Sequence, residues 1–513
     1  MKKCLIALLA VMLCALAGCG GGEGGQTVIP EGYTRVNLEE STGVKVSGIG
    51  VQFDPHYFSQ NVSRNVPGLD ESGWELICER VKKMGIDKFR VMLLPEWLEP
   101  ENDNDDSAAI DWSSLTPDSL EMQSLYKLLD LAEEADIEVT LVLWGVSKTA
   151  SLAANGYDSK SYFMGEGNDS PNWIVGASGA MIDEYVENFS AYIQLLVNQK
   201  GYTCIAEVTP GNEPDWSWQI NGQSLGDFNA YLEMCLKLDA RFKADGIRDK
   251  VAFNLVDTTY DRNEQWLQLG ADNLEGIADV MNTHTYNFGY QTPNSTVRAW
   301  ERNNAAISRS IGAAHFVGEF GSNLCVGSTR QTDIDDYERG VYLVRMMNNF
   351  FNGGACGMSY WTLNDYYINK KANYEQMMQL GLFRSAKDEY KSESNYRQLT
   401  DFQVRDQYYA YSLMSRYVPV GADVYPMEIN DELTAGTAFE KDGKTVYSIA
   451  NGGGTSHKFS VVRGAGEFEY YLYREGSLPE GDELISASQT ISVKDGCLSF
   501  EVPAHTVVLL RQK

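Results

Sequence analysis

One alternation constrains this chain more than any other feature. Between about residues 46 and 400, short apolar runs of strand length recur eight times, separated by amphipathic stretches of helix length. The runs are Val46–Phe53, Lys88–Leu94, Glu138–Trp144, Ile205–Thr209, Val251–Leu255, Val280–His284, His315–Gly318 and Ala355–Trp361. Helical spacing is expected after Ser72, where Ser72 and Glu75 have the spacing of a capping box, and over Ser119–Ala135, Ile182–Gln199, Asp227–Ala244, Thr296–Ile311 and Ile334–Phe351. A weaker helix is expected near Arg262–Gly270. The apolar runs do not alternate cleanly, as befits parallel strands buried on both faces. Eight such units predict an α/β fold, a (β/α)8 TIM barrel, over 41–405. A doubly wound open sheet is the competing layout. It lacks a Gly-x-Gly-x-x-Gly turn after the first strand, although Gly48-Ile49-Gly50 begins like one.

The texture changes over 406–513. A helix-like stretch, Gln407–Tyr417, leads into short alternating runs. Asp442-Gly443 and Asp495-Gly496 each separate two of these runs, as hairpin turns do. A C-terminal antiparallel β-sandwich is expected, and the strand-like Thr27–Val36 is placed to complete it.

The N-terminus reads as an export signal. Two lysines precede the apolar run Leu5–Leu16, which is too short to span a bilayer and ends in Leu16-Ala17-Gly18-Cys19. That ending resembles the lipobox of bacterial lipoproteins, which implies lipidation of Cys19 and a lipid-anchored, extracytoplasmic location, the membrane being met through the lipid anchor only. Residues 20–40 then supply a glycine-rich tether and the possible sandwich strand. The remaining cysteines are scattered without a Cys-x-x-Cys, so neither a zinc site nor a disulfide framework is expected. The net charge of −29 argues against nucleic acid as a partner, since phosphate binding needs clustered Lys and Arg. It suits neutral ligands, and 29 tyrosines with 10 tryptophans offer the flat apolar faces on which sugars stack.

Against that background two glutamates stand out. Ile205–Thr209 ends by presenting Asn212-Glu213-Pro214, with Trp216 just beyond, and His315–Gly318 ends at Glu319. Alone, Asn-Glu-Pro reads as a turn or a helix start. Two carboxylates at the ends of two barrel strands are what retaining glycoside hydrolysis needs, one as acid/base and one as nucleophile. No Gly-x-Ser-x-Gly elbow, His-Glu-x-x-His or P-loop competes with this reading, and no cofactor or metal is called for.

Taken together these residues resemble the retaining clan A of (β/α)8 glycoside hydrolases, and the barrel-plus-sandwich layout is similar to its β-xylosidase-type and β-1,6-glucanase-type families. The resemblance implies an acid/base at Glu213 after Asn212 on strand four, and a nucleophile at Glu319 on strand seven. It implies that Arg90 on strand two steadies the nucleophile, that His284 and Tyr286 on strand six line the site, and that Trp361 on strand eight floors it. Trp144 stands where some relatives carry a histidine after strand three, which leaves the sugar open. Trp144 and Trp216 are further candidates for substrate contact. A carbohydrate substrate follows from the resemblance. A transglycosylase and a non-catalytic glycan-binding lipoprotein remain as alternatives, and the linkage and the oligomeric state stay open.

Overall fold

The computed structural model describes residues 28–55, 71–99, 106, 108–143, 179–217, 226–326, 330–371, 374–378, 380–384, 402–463 and 465–513. Eight parallel strands close into a barrel: Gly48–Gln52, Lys88–Leu93, Glu138–Leu143, Ile205–Thr209, Ala252–Thr258, Val280–Thr285, Ala314–Phe320 and Gly357–Tyr360. The eighth strand pairs with the first in register from Gly357↔Gly48 to Tyr360↔Val51. The glycines of the first strand serve this closure rather than a phosphate. A Cβ on Gly50 would lie 2.7 Å from the Lys88 carbonyl oxygen and 2.8 Å from Ser359 Oγ. Outward-facing Phe89, Val91, Leu141 and Leu143 are fully buried under the helical ring, each contributing about 1.5–3 kcal/mol of hydrophobic stabilisation.

The helices follow the expected order, with Glu71–Met84, Leu120–Ala135, Gly179–Ile193, Phe228–Ala244, Asn263–Asn273, Asn294–Arg309, Tyr337–Gly353 and Asp406–Tyr417 after strands one to eight. The first begins at Glu71, so Ser72 lies inside it rather than capping it. Ser119 does cap the second, its hydroxyl accepting from Met122 N–H at 3.2 Å. The helix Asp406–Tyr417 completes the barrel ring beside Glu71–Met84: Tyr411 Oη donates to the Gly50 carbonyl and Ser415 Oγ to that of Met84. The barrel's last helix thus lies on the C-terminal side of the expected division at 405/406. Among the described residues no helix is long and apolar enough to cross a membrane. The lipidation candidate Cys19 falls outside them. Cys235, Cys356 and Cys497 are buried free thiols.

Outside the barrel, besides the two-stranded pairs Cys325–Val326 with Arg330–Gln331 and Tyr366–Lys371 with Tyr374–Met378, the described residues form two larger sheets. One has six antiparallel strands: Asp423–Pro426, Thr434–Lys441, Lys444–Asn451, Thr506–Gln512, Glu467–Tyr473 and Gln489–Ser492. The other has three, with Thr34–Val36 parallel and Cys497–Val502 antiparallel to the central His457–Val462, so this sheet is mixed. Their facing sides share one apolar core, including Val36, Phe459 and Phe500 from the small sheet and Tyr447, Phe468 and Leu510 from the large. Asp442-Gly443 and Asp495-Gly496 adopt φ of 51°, 75°, 50° and 77°, the left-handed pair that a tight hairpin turn requires. The outer side of the large sheet packs on Tyr337–Gly353. Asn348 donates to the Ala435 and Ser448 carbonyls, Asn352 donates to that of Gly436, and the Tyr337 and Tyr473 rings stack at 4.6 Å. Every residue of that helix but Glu338 is buried, as expected of a helix covered on both sides.

Candidate active site

The C-terminal ends of the barrel strands converge on the guanidinium of Arg90, which is 3 % exposed. Its Nη1 donates to Gln52 Oε1 at 2.8 Å and to Glu319 Oε1 at 2.7 Å. Its Nη2 donates to Asn212 Oδ1 and to Asp257 Oδ2, both at 2.8 Å. One side chain from the second strand therefore ties together the first, fourth, fifth and seventh. Charge-assisted hydrogen bonds of this kind fix geometry strongly. Burial works against the cation, but Asp257 and Glu319 more than restore it, so Arg90 stays charged.

His284, on the sixth strand, is the second organiser. Its Nε2 lies 3.2 Å from Asp257 Oδ1, and its Nδ1 lies 2.8 Å from Glu213 Oε1 and 3.6 Å from Glu319 Oε2. Burial alone would lower its pKa. The carboxylates of Glu319 and Asp257 reverse this and raise it to about 10, so the ring is an imidazolium at neutral pH. Asp257 is fully buried, but Arg90 and His284 overcome that burial and hold its carboxyl well below the ordinary range. Tyr286 Oη donates to Glu319 Oε2 at 2.9 Å. Burial and the Glu319 charge keep that phenol well above its usual value, so it remains a donor.

The two glutamates differ in surroundings. Glu319 is buried and receives Arg90 and Tyr286; burial raises its pKa, and His284 and Arg90 pull it back only in part. The side chain of Glu213 is 27 % exposed, facing the mouth of the barrel. Its backbone is left-handed, with φ of 46°, and its N–H donates to the Asp257 carbonyl at 3.1 Å. A non-glycine residue there costs roughly 1–2 kcal/mol, held in place by the surrounding bonds. Next along the chain, Asp215 accepts from Thr259 N–H at 3.0 Å and from its hydroxyl, pinning the loop after the fourth strand to the fifth; burial raises Asp215 to about 6. Carboxylate oxygens of Glu213 and Glu319 come within 4.8 Å of each other.

The structure therefore brings together Arg90, Asn212, Glu213, His284, Tyr286 and Glu319. Trp361 sits at the end of the eighth strand, 8 % exposed. Trp216 lies in the short helix Pro214–Ser217, but its side chain, like all of Trp144, falls outside what the structure describes. Sequence reasoning missed Asp257. The fifth strand bulges before it, with φ of 77° at Val256 and 45° at Asp257, and this breaks the two-residue period that would have pointed to it. An acid closing an otherwise apolar run was the available signal.

Glu213, His284 and Glu319 offer one nitrogen and two carboxylates to a cation. Arg90 already bonds the Glu319 carboxyl of this group. A second set of carboxylates close enough to share an ion, Glu99, Glu184 and Glu187, lies where the loop after the second strand meets the third helix.

No protein-family model matches the chain, and no curated protein matches it in sequence. Solved structures do match in fold. The catalytic domain of a GH30 xylanase C from Talaromyces cellulolyticus superposes with a TM-score of 0.63 at 14 % identity, covering 94 % of this chain and 100 % of that one. An endo-beta1,6-glucanase gives 0.57 at 15 %, covering 93 % and 94 %. A GH39 enzyme from Xanthomonas axonopodis pv. citri gives 0.57 at 14 %, covering 94 % and 99 %. At such identities what is shared is the fold, along nearly the whole length of each chain.

Proposed function

We propose that this chain is a retaining glycoside hydrolase acting on a neutral, β-linked glycan or oligosaccharide. The observation that carries the reading is the pair Glu213 and Glu319, whose oxygens approach within 4.8 Å across the mouth of the barrel. Double displacement uses two carboxyl groups about 5–5.5 Å apart, and so close an approach of oxygens supports it. The glycosidase names of the fold neighbours support the same class.

The surroundings of the two glutamates support the division of roles. Arg90 and His284 bring two positive charges, and Asp257, Glu319 and Glu213 bring three carboxyl groups. Glu319 receives Arg90 and Tyr286, donors that favour a carboxylate and suit a nucleophile, whereas Glu213 opens toward the mouth of the barrel, where a leaving group would stand. Ionised Glu319 attacks the anomeric carbon while Glu213 gives its proton to the leaving oxygen. The glycosyl–Glu319 ester is then opened by water, from which Glu213 takes a proton, and the site is restored. Asn212, anchored through its oxygen to Arg90, turns its NH2 group to a sugar hydroxyl. Trp361 closes the floor. Cys19 carries the lipid that anchors the exported enzyme.

The test is a panel of aryl β-glycosides and polysaccharides offered to wild type and Glu213→Ala. The variant should hydrolyse substrates with poor leaving groups far more slowly, and azide should restore turnover of activated ones, giving a glycosyl azide of the substrate's own configuration. Wild-type-like activity in Glu213→Ala on poor leaving groups would remove Glu213 from the mechanism.

A further inference from the structure

The first strand runs out into Gln52-Phe53-Asp54, whose two polar side chains, two residues apart, lie on the same side. Both are buried. Asp54 Oδ1 accepts from the Met92 N–H at 2.7 Å and from Gln52 Nε2 at 2.6 Å. Gln52 Oε1 accepts from Arg90 Nη1, which also donates to Glu319 Oε1. An unbroken series of hydrogen bonds thus leads from Asp54 to Glu319.

The direction of that series depends on one group. A carboxamide has a donor end and an acceptor end, and a guanidinium only donates. If the Gln52 amide turned over, its NH2 would face Arg90 and its oxygen would face the carboxyl of Asp54. Arg90 Nη1 would then lose an acceptor, and an unmade buried hydrogen bond to a charged group is expensive. What keeps the amide the right way round is the acceptor on Asp54, itself fixed by a backbone N–H of the second strand.

We propose that Asp54 is a positioning residue: by locking the Gln52 amide it holds the Arg90 guanidinium on Glu319. The inference rests on the reading of Glu319 as the nucleophile. Glu319 is faced by Arg90 from the second strand, Glu213 after the fourth, Asp257 on the fifth, and His284 and Tyr286 from the sixth. Asp54 is faced by Arg90 and Glu319. Burial pushes Asp54 up to about 7, against the bonds from Met92 and Gln52 and the charge of Arg90. Below neutral pH it therefore works mainly as an uncharged acid, and its effect on Glu319 in that range passes through Gln52 rather than through its own charge.

The experiment compares Asp54→Ala, Asp54→Asn and Gln52→Met. Asparagine keeps the acceptor oxygen; the other two break the series. Asp54→Ala and Gln52→Met should lower kcat on the order of 10- to 100-fold and leave KM within about twofold. They should also move the acid limb of kcat/KM upward, because a looser Arg90 holds Glu319 down less. Asp54→Asn should keep the limb in place. The same upward shift should appear without turnover, in the carboxyl 13C titration of Glu319 assigned against Glu319→Gln. A downward shift in both Asp54 variants would overturn the proposal, since it would mean that Asp54 acts by its own charge. So would variants that fold and leave the limb and the Glu319 titration unmoved. If wild type cleaves no glycoside yet the Glu319 titration shifts as described, the hydrolase reading fails and the positioning role stands.

Discussion

The second barrel strand carries two inward cations, Lys88 and Arg90, and each gathers carboxylates from its neighbours in a different way. At the base, Lys88 Nζ bonds Glu138 and lies 3.2 Å from Glu207 Oε1. Glu207 Oε2 takes Thr140 Oγ1 at 2.9 Å and Asn254 Nδ2 at 2.8 Å, and Asn254 in turn takes Asn282. Both Glu207 oxygens are engaged and Glu138 is half exposed, so one buried acid faces one buried cation. Burial would raise Glu207, but Lys88 and these donors bring it below its ordinary value. Two residues farther along, Arg90 and His284 face three carboxyl groups, and the buried Glu319 stays above its ordinary value. The same strand and the same inward face give a settled ion pair at one end and an oversupply of acid at the other. The carboxyl that opens toward solvent, Glu213, belongs to the upper cluster, which is the one proposed to react, while the lower one is proposed to be scaffold.

Substitutions at matching positions should separate the two clusters. Glu319→Gln should cost on the order of 10⁴-fold or more in kcat, and its melting temperature should equal or exceed that of wild type, because a carboxyl held against its preference has been relieved. Thermal denaturation and steady-state kinetics read the two effects. Glu207→Gln should do the reverse. Leaving Lys88 with only its half-exposed partner should destabilise the fold by about 3 kcal/mol, with kcat per folded molecule far less affected than in Glu319→Gln. Equal losses of activity in both would erase the distinction.

Titration sharpens it further. His284 has a folded pKa of about 10 against an ordinary 6.5, so the folded protein holds a proton that the unfolded chain releases between those values. That stabilisation is complete below about pH 6.5 and is lost as pH rises toward 10. The melting temperature should therefore fall over this window, and His284→Asn should flatten the slope. On the acid side, Asp257 and Glu207, both lowered, contribute stability above their ordinary carboxyl range, and this is lost as pH falls through their folded values. Glu319 has the opposite sign: its raised value costs stability at neutral pH and ceases to do so on acidification. Its titration should place the acid limb of kcat/KM above the ordinary glutamate range, and a limb at or below that range would count against the role of Glu319.

Much of this was legible before any coordinates. Buried parallel strands announce themselves as apolar runs, so all eight were found, Ile205–Thr209 to the residue. Glu213 and Glu319 were readable because each sits just past such a run, whereas Arg90 and His284, inside a run and at the end of one, were named through the resemblance to clan A. Where the backbone departs from regularity, the sequence says less. Asp257 is turned inward by two left-handed residues that no pattern announces. Gln52 and Asp54 were hidden in a strand end whose neighbours, Val51 and Phe53, are plain core. The strand Asp423–Pro426 is only four residues long with no Asp-Gly beside it, and His457–Val462 went unread although Asn451-Gly452 stands shortly before it.

The central claim is that Glu319 forms a covalent bond to the sugar. An activated 2-deoxy-2-fluoro glycoside of a sugar that the enzyme hydrolyses should inactivate it in a one-to-one ratio, and peptide mass spectrometry should find the added mass on the segment carrying Glu319. A label on any other residue, or a hydrolysis product released with inverted anomeric configuration, would contradict the account.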